Sequence, residues 1–344
     1  MLPYKKMMGH REKIKRYLRE LPPTLLGVPN IDSIKILGIT PGSYNLNFHV
    51  KVNQKEFNFR INIDQQSGLD NQIEYEYRTL KFLEGHRIAP RVFFFDDSCR
   101  HFDFGIMVQE YFKGPHLSLS FEDISMAAEL LARLHSLKPF GMQFVTWKNP
   151  LEDTYSFVQN DIIYYEEKKS HDKKTLSLAE KTLEKIEPMI PAYRHLFLSD
   201  SLNHTDVGLD NFIKSPHGLR LIDWEKPHVD DCTYDICCFL SEPVVLWCTQ
   251  KILNQRERMN FIEAYARLSG KDANQLKIKV KIREPLVSLH WILWGAAKLC
   301  DLKDRITSPQ LLEAHKKKKV RYKRIANPEN IEKILDSLGQ SDNV

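Results

Sequence analysis

Three observations predict an α+β protein in two parts. Strand-like runs separated by turn formers fill residues 34 to 63, apolar residues recur at helical spacing from Phe121 onward, and a late strand-turn-strand pattern closes on Asp223. With 344 residues and 42% hydrophobic content, the chain can bury one large core or two medium ones. The changes of period divide it into a basic N-terminal extension over residues 1–30, a β-rich part over 31–112 and a helical part over 113–344.

A basic helix over Arg11 to Leu21 is closed by Pro22-Pro23. Strands follow at Ile34 to Ile39, Leu46 to Val52 and Phe57 to Ile63, with turns at Pro41-Gly42-Ser43 and Asn53-Gln54, giving a meander. The turn from Thr40 to Asn45 is either a plain hairpin connection or a nest of N–H groups for phosphate oxygens. Alternation in Phe57 to Ile63 puts Arg60 on the polar face of its strand. The helix predicted over Asn71 to Glu84 has an apolar stripe of Ile73, Tyr77, Leu80 and Leu83 and carries Glu74 and Glu76. A turn and strand at Ile88 to Phe95 precede another strand, Gly105 to Tyr111, which runs into Phe112-Lys113-Gly114-Pro115. Beyond it, Phe121 to Leu137 has a helical apolar face, and His135 in its last turn reads as a dipole partner and packing residue. Residues 150–195 read as two charged helices forming a solvated insertion. Trp291 and Trp294, three apart, share one helix face, and the run from His315 to Arg324 reads first as a solvated basic face.

The chemistry is concentrated between His204 and Glu225. Asp206 is placed to take a proton from a hydroxyl, Asn211 follows five residues later, and Asp223 ends the second strand of a hairpin turning at Ser215-Pro216-His217-Gly218. Together, His204, Asp206 and Asn211 with Ile222-Asp223-Trp224-Glu225 resemble the aminoglycoside phosphotransferase and choline kinase superfamily, kinase-like enzymes that phosphorylate small molecules. Thr205 departs from that pattern, where Gly or Asn is commoner, and adds a β-branch to a tight loop.

The resemblance implies a bilobal protein-kinase-like fold, with an antiparallel β-sheet plus helix in the N-lobe and a mainly helical C-lobe. ATP would lie in the cleft, with Gln109, Glu110 and Tyr111 offering backbone groups to adenine and Gly42, Ser43 and Asn45 near the phosphates. Arg60 takes the place of the phosphate-binding cation, positioned by Glu76, with Glu74 as second choice. Asp206 is the base, with His204 beside it, Asp235 braces the catalytic loop, and Asn211 and Asp223 hold Mg2+. Glu225, Trp291 and Trp294 fall on the substrate side; the tryptophan pair is either ordinary core or a wall for a quaternary ammonium. The activity implied is ATP- and Mg2+-dependent transfer to a hydroxyl of a small molecule, choline or a related amino alcohol. An aminoglycoside, other antibiotic or sugar is the alternative acceptor, and a nucleotide-binding pseudokinase the alternative without turnover. A protein kinase is disfavoured, because the chain has no multi-glycine loop and no Phe-Gly pair after Asp223.

Composition excludes little else. A net charge of +5 from 50 basic and 45 acidic residues does not itself point to nucleic acid or membrane. The six cysteines lack zinc-site spacing and read as reduced, mostly buried thiols. The basic first twenty residues do not resemble a signal peptide and no apolar run is of spanning length, so a cytoplasmic protein is expected.

Overall fold

The computed structural model describes residues 4–42, 44–64, 69–139, 142–303 and 309–339. The chain packs as two compact units, Met1–Pro115 with Ile213–Lys226 and His116–Phe212 with Pro227–Val344. The first is built on an antiparallel sheet and the second on helices, as the α+β class requires.

In the first unit, β1 (Ile34–Pro41), β2 (Asn45–Val52), β3 (Lys55–Asn62), β4 (Val92–Asp96) and β5 (Ile106–Glu110) lie in the order β1-β2-β3-β5-β4. The expected meander of the first three strands is present, with Phe48 opposite Phe59 and Asn47 opposite Arg60. Because side chains alternate along a strand, this register gathers Phe48, Phe57 and Phe59 on one face and puts Asn47, Asn58 and Arg60 on the other.

Helix α1 (Tyr4–Glu20) packs into the apolar side, where Ile14, Tyr17 and Leu18 are buried and Tyr17 meets Phe59 edge-on at 6.1 Å. Ile14, Tyr17, Leu18 and Leu26, within the stretch expected as a basic extension over residues 1–30, therefore contribute to the core. The spacing of the first three makes an apolar stripe that the surrounding lysines and arginines mask in the composition. Helix α2 (Gln72–Phe82) lies against β4 and β5, with the Asn71 side chain accepting from the Glu74 amide at 3.2 Å.

The hairpin strands Phe212–Ser215 and Gly218–Leu221 attach to this unit through backbone bonds. Lys214 N donates to Pro115 O at 2.9 Å and Leu221 N to Ile88 O at 2.8 Å. The approach is close enough to require glycine at 114, where a Cβ would stand 2.0 Å from the Lys214 carbonyl oxygen.

The second unit holds α3 (Phe121–Ser136), α4 (Pro150–Glu166), α5 (Lys173–Ile186), α6 (Met189–Tyr193), α7 (Thr233–Leu240), α8 (Glu242–Cys248), α9 (Gln255–Ser269), α10 (Ala273–Lys303), α11 (Pro309–Ile325) and α12 (Pro328–Gly339). A short antiparallel pair, β6 (Ser201–Asn203) with His228–Asp230, completes it. Leu286, Leu289 and Ile292 of α10 share a buried cluster with Leu151, Val158 and Ile162 of α4 and with Leu183 and Ile186 of α5. Residues 150–195, read as a solvated insertion, thus bury one face, at about 1.5–3 kcal/mol for each large aliphatic side chain enclosed. Fully buried Arg283 donates to Asp230 Oδ2 at 2.5 Å and Pro150 O at 3.1 Å, tying α10 to the strand and to the start of α4.

All six cysteines are free; Cys232, Cys237, Cys238 and Cys300 are buried. Among the described residues no helix is long and apolar enough to cross a membrane.

Candidate active site

In the first unit, four elements converge on one guanidinium. Arg60 projects from β3 and is 2% exposed, with Nη1 2.9 Å from Glu76 Oε1 on α2. Its Nη2 pairs with Asp223 at the end of the hairpin and lies 3.1 Å from Glu225 Oε2. Asn45 at the start of β2 donates to the same Glu225 carboxylate, and Asn62 Nδ2 donates to Asn45 Oδ1 at 3.1 Å. The choice between the two α2 glutamates is settled by helical position: Glu76 shares the buried face with Ile73 and Leu80, whereas Glu74 pairs with Arg78 one turn on, at 2.5 Å.

One positive charge thus faces three carboxylates. Burial lifts Glu76 to about 7, Arg60 opposing the rise and Asp223 adding to it. Burial lifts Glu225 to about 8, with Asp223 again adding to the rise. Burial alone would ease Arg60's proton off, but the carboxylates around it, led by Asp223, hold its pKa above the ordinary value. Asp223 is the most exposed of the three, its side chain 35% accessible, and it takes φ +71°, a left-handed conformation rare outside glycine. Its neighbour Trp224 is fully buried and donates Nε1–H to Leu221 O at 2.8 Å, anchoring the turn that presents Asp223.

An excess of carboxylate around a single cation, with one acid still reaching solvent, suits a divalent metal. Among the described residues no group of three His, Cys, Asp or Glu side chains is arranged to hold an ion unaided. That is compatible with Mg2+, which is commonly held by one or two carboxylates plus substrate phosphates.

The catalytic loop is built inside the second unit, leaving β6 at His204. Asp235, near the start of α7 and wholly buried, accepts the His204 and Thr205 amides at 2.7 Å each. His135 Nε2 lies 3.1 Å from Asp235 Oδ2, the oxygen that takes the His204 amide, and His135 Nδ1 is 2.8 Å from the Tyr265 hydroxyl. Thr205 adopts φ +73°, a left-handed backbone that disfavours a β-branched residue, and the Asp235 bond helps hold it there. The Asp206 amide donates to His204 Nδ1 at 3.2 Å, and Asn211 Nδ2 donates to the Asp206 carbonyl at 2.8 Å. His204 and Asp235, both 0% exposed, therefore shape the loop through its backbone, while Asp206 is only part-buried. His135, read from sequence as packing, is the third member of this brace.

Burial alone would raise Asp235, but the His135 hydrogen bond and charge, with the loop amide, hold its pKa below the usual carboxylate value. A lowered folded-state value means that its stabilisation is present above the unfolded value of 3.8 and is lost as pH falls. Asp235→Asn is therefore expected to cost about 3 kcal/mol near neutrality. Urea midpoints of both proteins would show that gap at neutral pH and a narrower one in acid.

The remaining nucleotide-side candidates also lie in the first unit. Gly42 N donates to Asn45 O at 2.8 Å, so the turn is closed by its own hydrogen bond; Ser43 lies outside the described residues. Gln109 is buried on β5, Glu110 N donates to Arg91 O at 2.8 Å, and the Tyr111 ring stacks on His49 with centroids 3.6 Å apart. Glu225, assigned from sequence to the acceptor side, is engaged by Arg60 and Asn45.

Trp291 and Trp294 come together, centroids 5.5 Å apart, within a cluster that sequence did not reveal. Trp247 of α8 meets Trp294 at 5.6 Å and Tyr322 at 5.2 Å, and Tyr322 meets Trp294 at 5.4 Å. Asp210 in the catalytic loop reaches the same neighbourhood. Cys248, next to Trp247, donates to Asp210 Oδ1 at 3.1 Å, and Arg321 Nη1 is 3.7 Å from Asp210 Oδ2.

Residues 35–277 match the family model described as the phosphotransferase enzyme family. No curated protein sequence matches the chain. Among solved structures, a choline kinase from Cryptosporidium parvum Iowa II is 17% identical with a TM-score of 0.67, over 94% of this chain and 96% of its own. The choline kinase LicA from Streptococcus pneumoniae is 17% identical with a TM-score of 0.59, over 95% and 99%. The ADP-bound aminoglycoside phosphotransferase APH(2'')-Ib is 15% identical with a TM-score of 0.55, over 92% and 98%. At such identities the likeness is one of fold, and the fold is the kinase-like α+β architecture.

Proposed function

The chain belongs to the phosphotransferase enzyme family, and from that premise we propose that it transfers the γ-phosphoryl group of ATP, with Mg2+, to the hydroxyl of a small amino alcohol of the choline type. The observation that carries the phosphotransferase reading is the buried Arg60–Glu76 pair held against Asp223, the cation and carboxylates that phosphoryl transfer calls for at the phosphates and the metal.

Arg60 supplies positive charge to the nucleotide phosphates, and Glu76 keeps its guanidinium in place. Asp223, with Asn211 as the amide ligand, would hold Mg2+, which when bound would offset phosphate charge. Asp206 orients the acceptor hydroxyl and takes its proton, and Asp235 positions the loop that carries it. The cluster of Trp247, Trp291, Trp294 and Tyr322 supports a cationic acceptor, because the faces of aromatic rings attract quaternary ammonium.

The test is ADP release from ATP over a panel of small alcohols including choline, ethanolamine, an aminoglycoside and a neutral sugar. Turnover is expected with choline or ethanolamine, ending on addition of EDTA and returning with Mg2+. Turnover confined to the aminoglycoside or the sugar would remove the amino-alcohol assignment, and phosphate release with no acceptor in the panel would remove both.

A further inference from the structure

The aromatic cluster already has a cation on it. Trp291 and Tyr322 are buried, 8% and 4% exposed, whereas Trp247 and Trp294 are half-buried and form the side of the cluster that solvent reaches. Over the Trp247 ring, 5.2 Å from its centroid, lies the guanidinium of Arg321, which α11 carries next to Tyr322. The same guanidinium is 3.7 Å from the Asp210 carboxylate, so it spans the short distance from the rings to the catalytic loop. Its side chain is 44% exposed.

We propose that Arg321 is a tethered competitor for the acceptor's ammonium group, sitting on the tryptophan face and beside the carboxylate that a cationic acceptor would use, and leaving when that acceptor binds. The inference rests on the amino-alcohol reading of this cluster. Three features make displacement feasible. The Asp210 contact is longer than a hydrogen bond, both partners are solvent-exposed, and exposed ion pairs and cation–π contacts are individually weak. The surroundings also disfavour two cations together. Lys318, one turn before Arg321, has its pKa held below the usual lysine value by burial first and then by Lys298 and Arg321. An entering ammonium therefore meets positive charge unless the guanidinium swings away, and this sets a ceiling on how tightly the pocket can hold it.

The test is binding of choline and of tetramethylammonium, read by tryptophan fluorescence, in the wild-type chain, Arg321→Gln and Arg321→Lys. Removing the cation is expected to tighten binding of both probes by about two- to fivefold, the size of a cation–π contact at an exposed site. Arg321→Lys, which keeps the charge, should stay closer to wild type than Arg321→Gln. Equal or weaker binding by Arg321→Gln, with wild-type binding intact, overturns the proposal while leaving the amino-alcohol reading in place. Failure of both wild type and Arg321→Gln to bind either probe overturns both. A thermal melt of each variant shows whether a changed affinity reflects lost folding.

Discussion

Asp206→Asn is expected to lower kcat by about a thousandfold, within the 10²–10⁴-fold range of positioned proton transfer, while leaving the fold and nucleotide affinity close to wild type. The separation of effects follows from how the loop is held. Its shape depends on the Asp206 backbone, whose amide donates to His204 and whose carbonyl accepts from Asn211, and on the two amides bound by Asp235. Asparagine keeps the side-chain shape but accepts a proton far less readily, so the variant tests the proton-accepting role with little disturbance of the loop. The measurements are ADP release at saturating acceptor, nucleotide affinity and a thermal melt. A variant retaining a tenth or more of wild-type kcat, with an unchanged melt, would remove Asp206 from the proposed proton-accepting role.

What could be read in the sequence was whatever depends on neighbours along the chain. Strand alternation put Arg60 on the polar face of β3, and the helical period put Glu76 in line with Ile73 and Leu80, so the pairing of those two could be anticipated from two local patterns. Thr205 could be marked as awkward because a β-branch in a tight loop is disfavoured wherever the loop goes, and it sits at φ +73°. The engagement of Glu225 by Asn45 was not legible: 180 residues separate the two, and a pattern reports which face is polar without reporting what that face meets. The same limit hid Trp247 and Tyr322, which join the tryptophan pair only when α8, α10 and α11 pack together, and it hid the burial of α1, whose basic composition masked the stripe of Ile14, Tyr17 and Leu18.

Arg60→Met is expected to destabilise the protein by about 3–5 kcal/mol, the cost of leaving a buried charge without its partner, and to abolish tight nucleotide binding. Glu76 is 1% exposed, so once the guanidinium is gone it must either remain charged in a low-dielectric site or take up a proton. The second course makes the loss depend on pH. Burial has already lifted Glu76 from 4.5 to about 7 with Arg60 present, and removing the group that opposes the rise moves it higher. A carboxyl whose folded-state pKa is raised favours folding when protonated, so its contribution is intact below the unfolded value and is lost as pH rises through the folded one. The deficit of Arg60→Met relative to wild type should therefore be larger at about pH 8 than at about pH 5, by denaturant midpoints at each pH. Adding Glu76→Gln removes the stranded acid and should recover part of the stability at the higher pH without restoring nucleotide binding, because the cation proposed to meet the phosphates is still missing. A deficit of equal size at both pH values, with no recovery in the double variant, would mean that Arg60 stabilises this unit by packing alone and that the charge balance among Arg60, Glu76, Asp223 and Glu225 has little part in it.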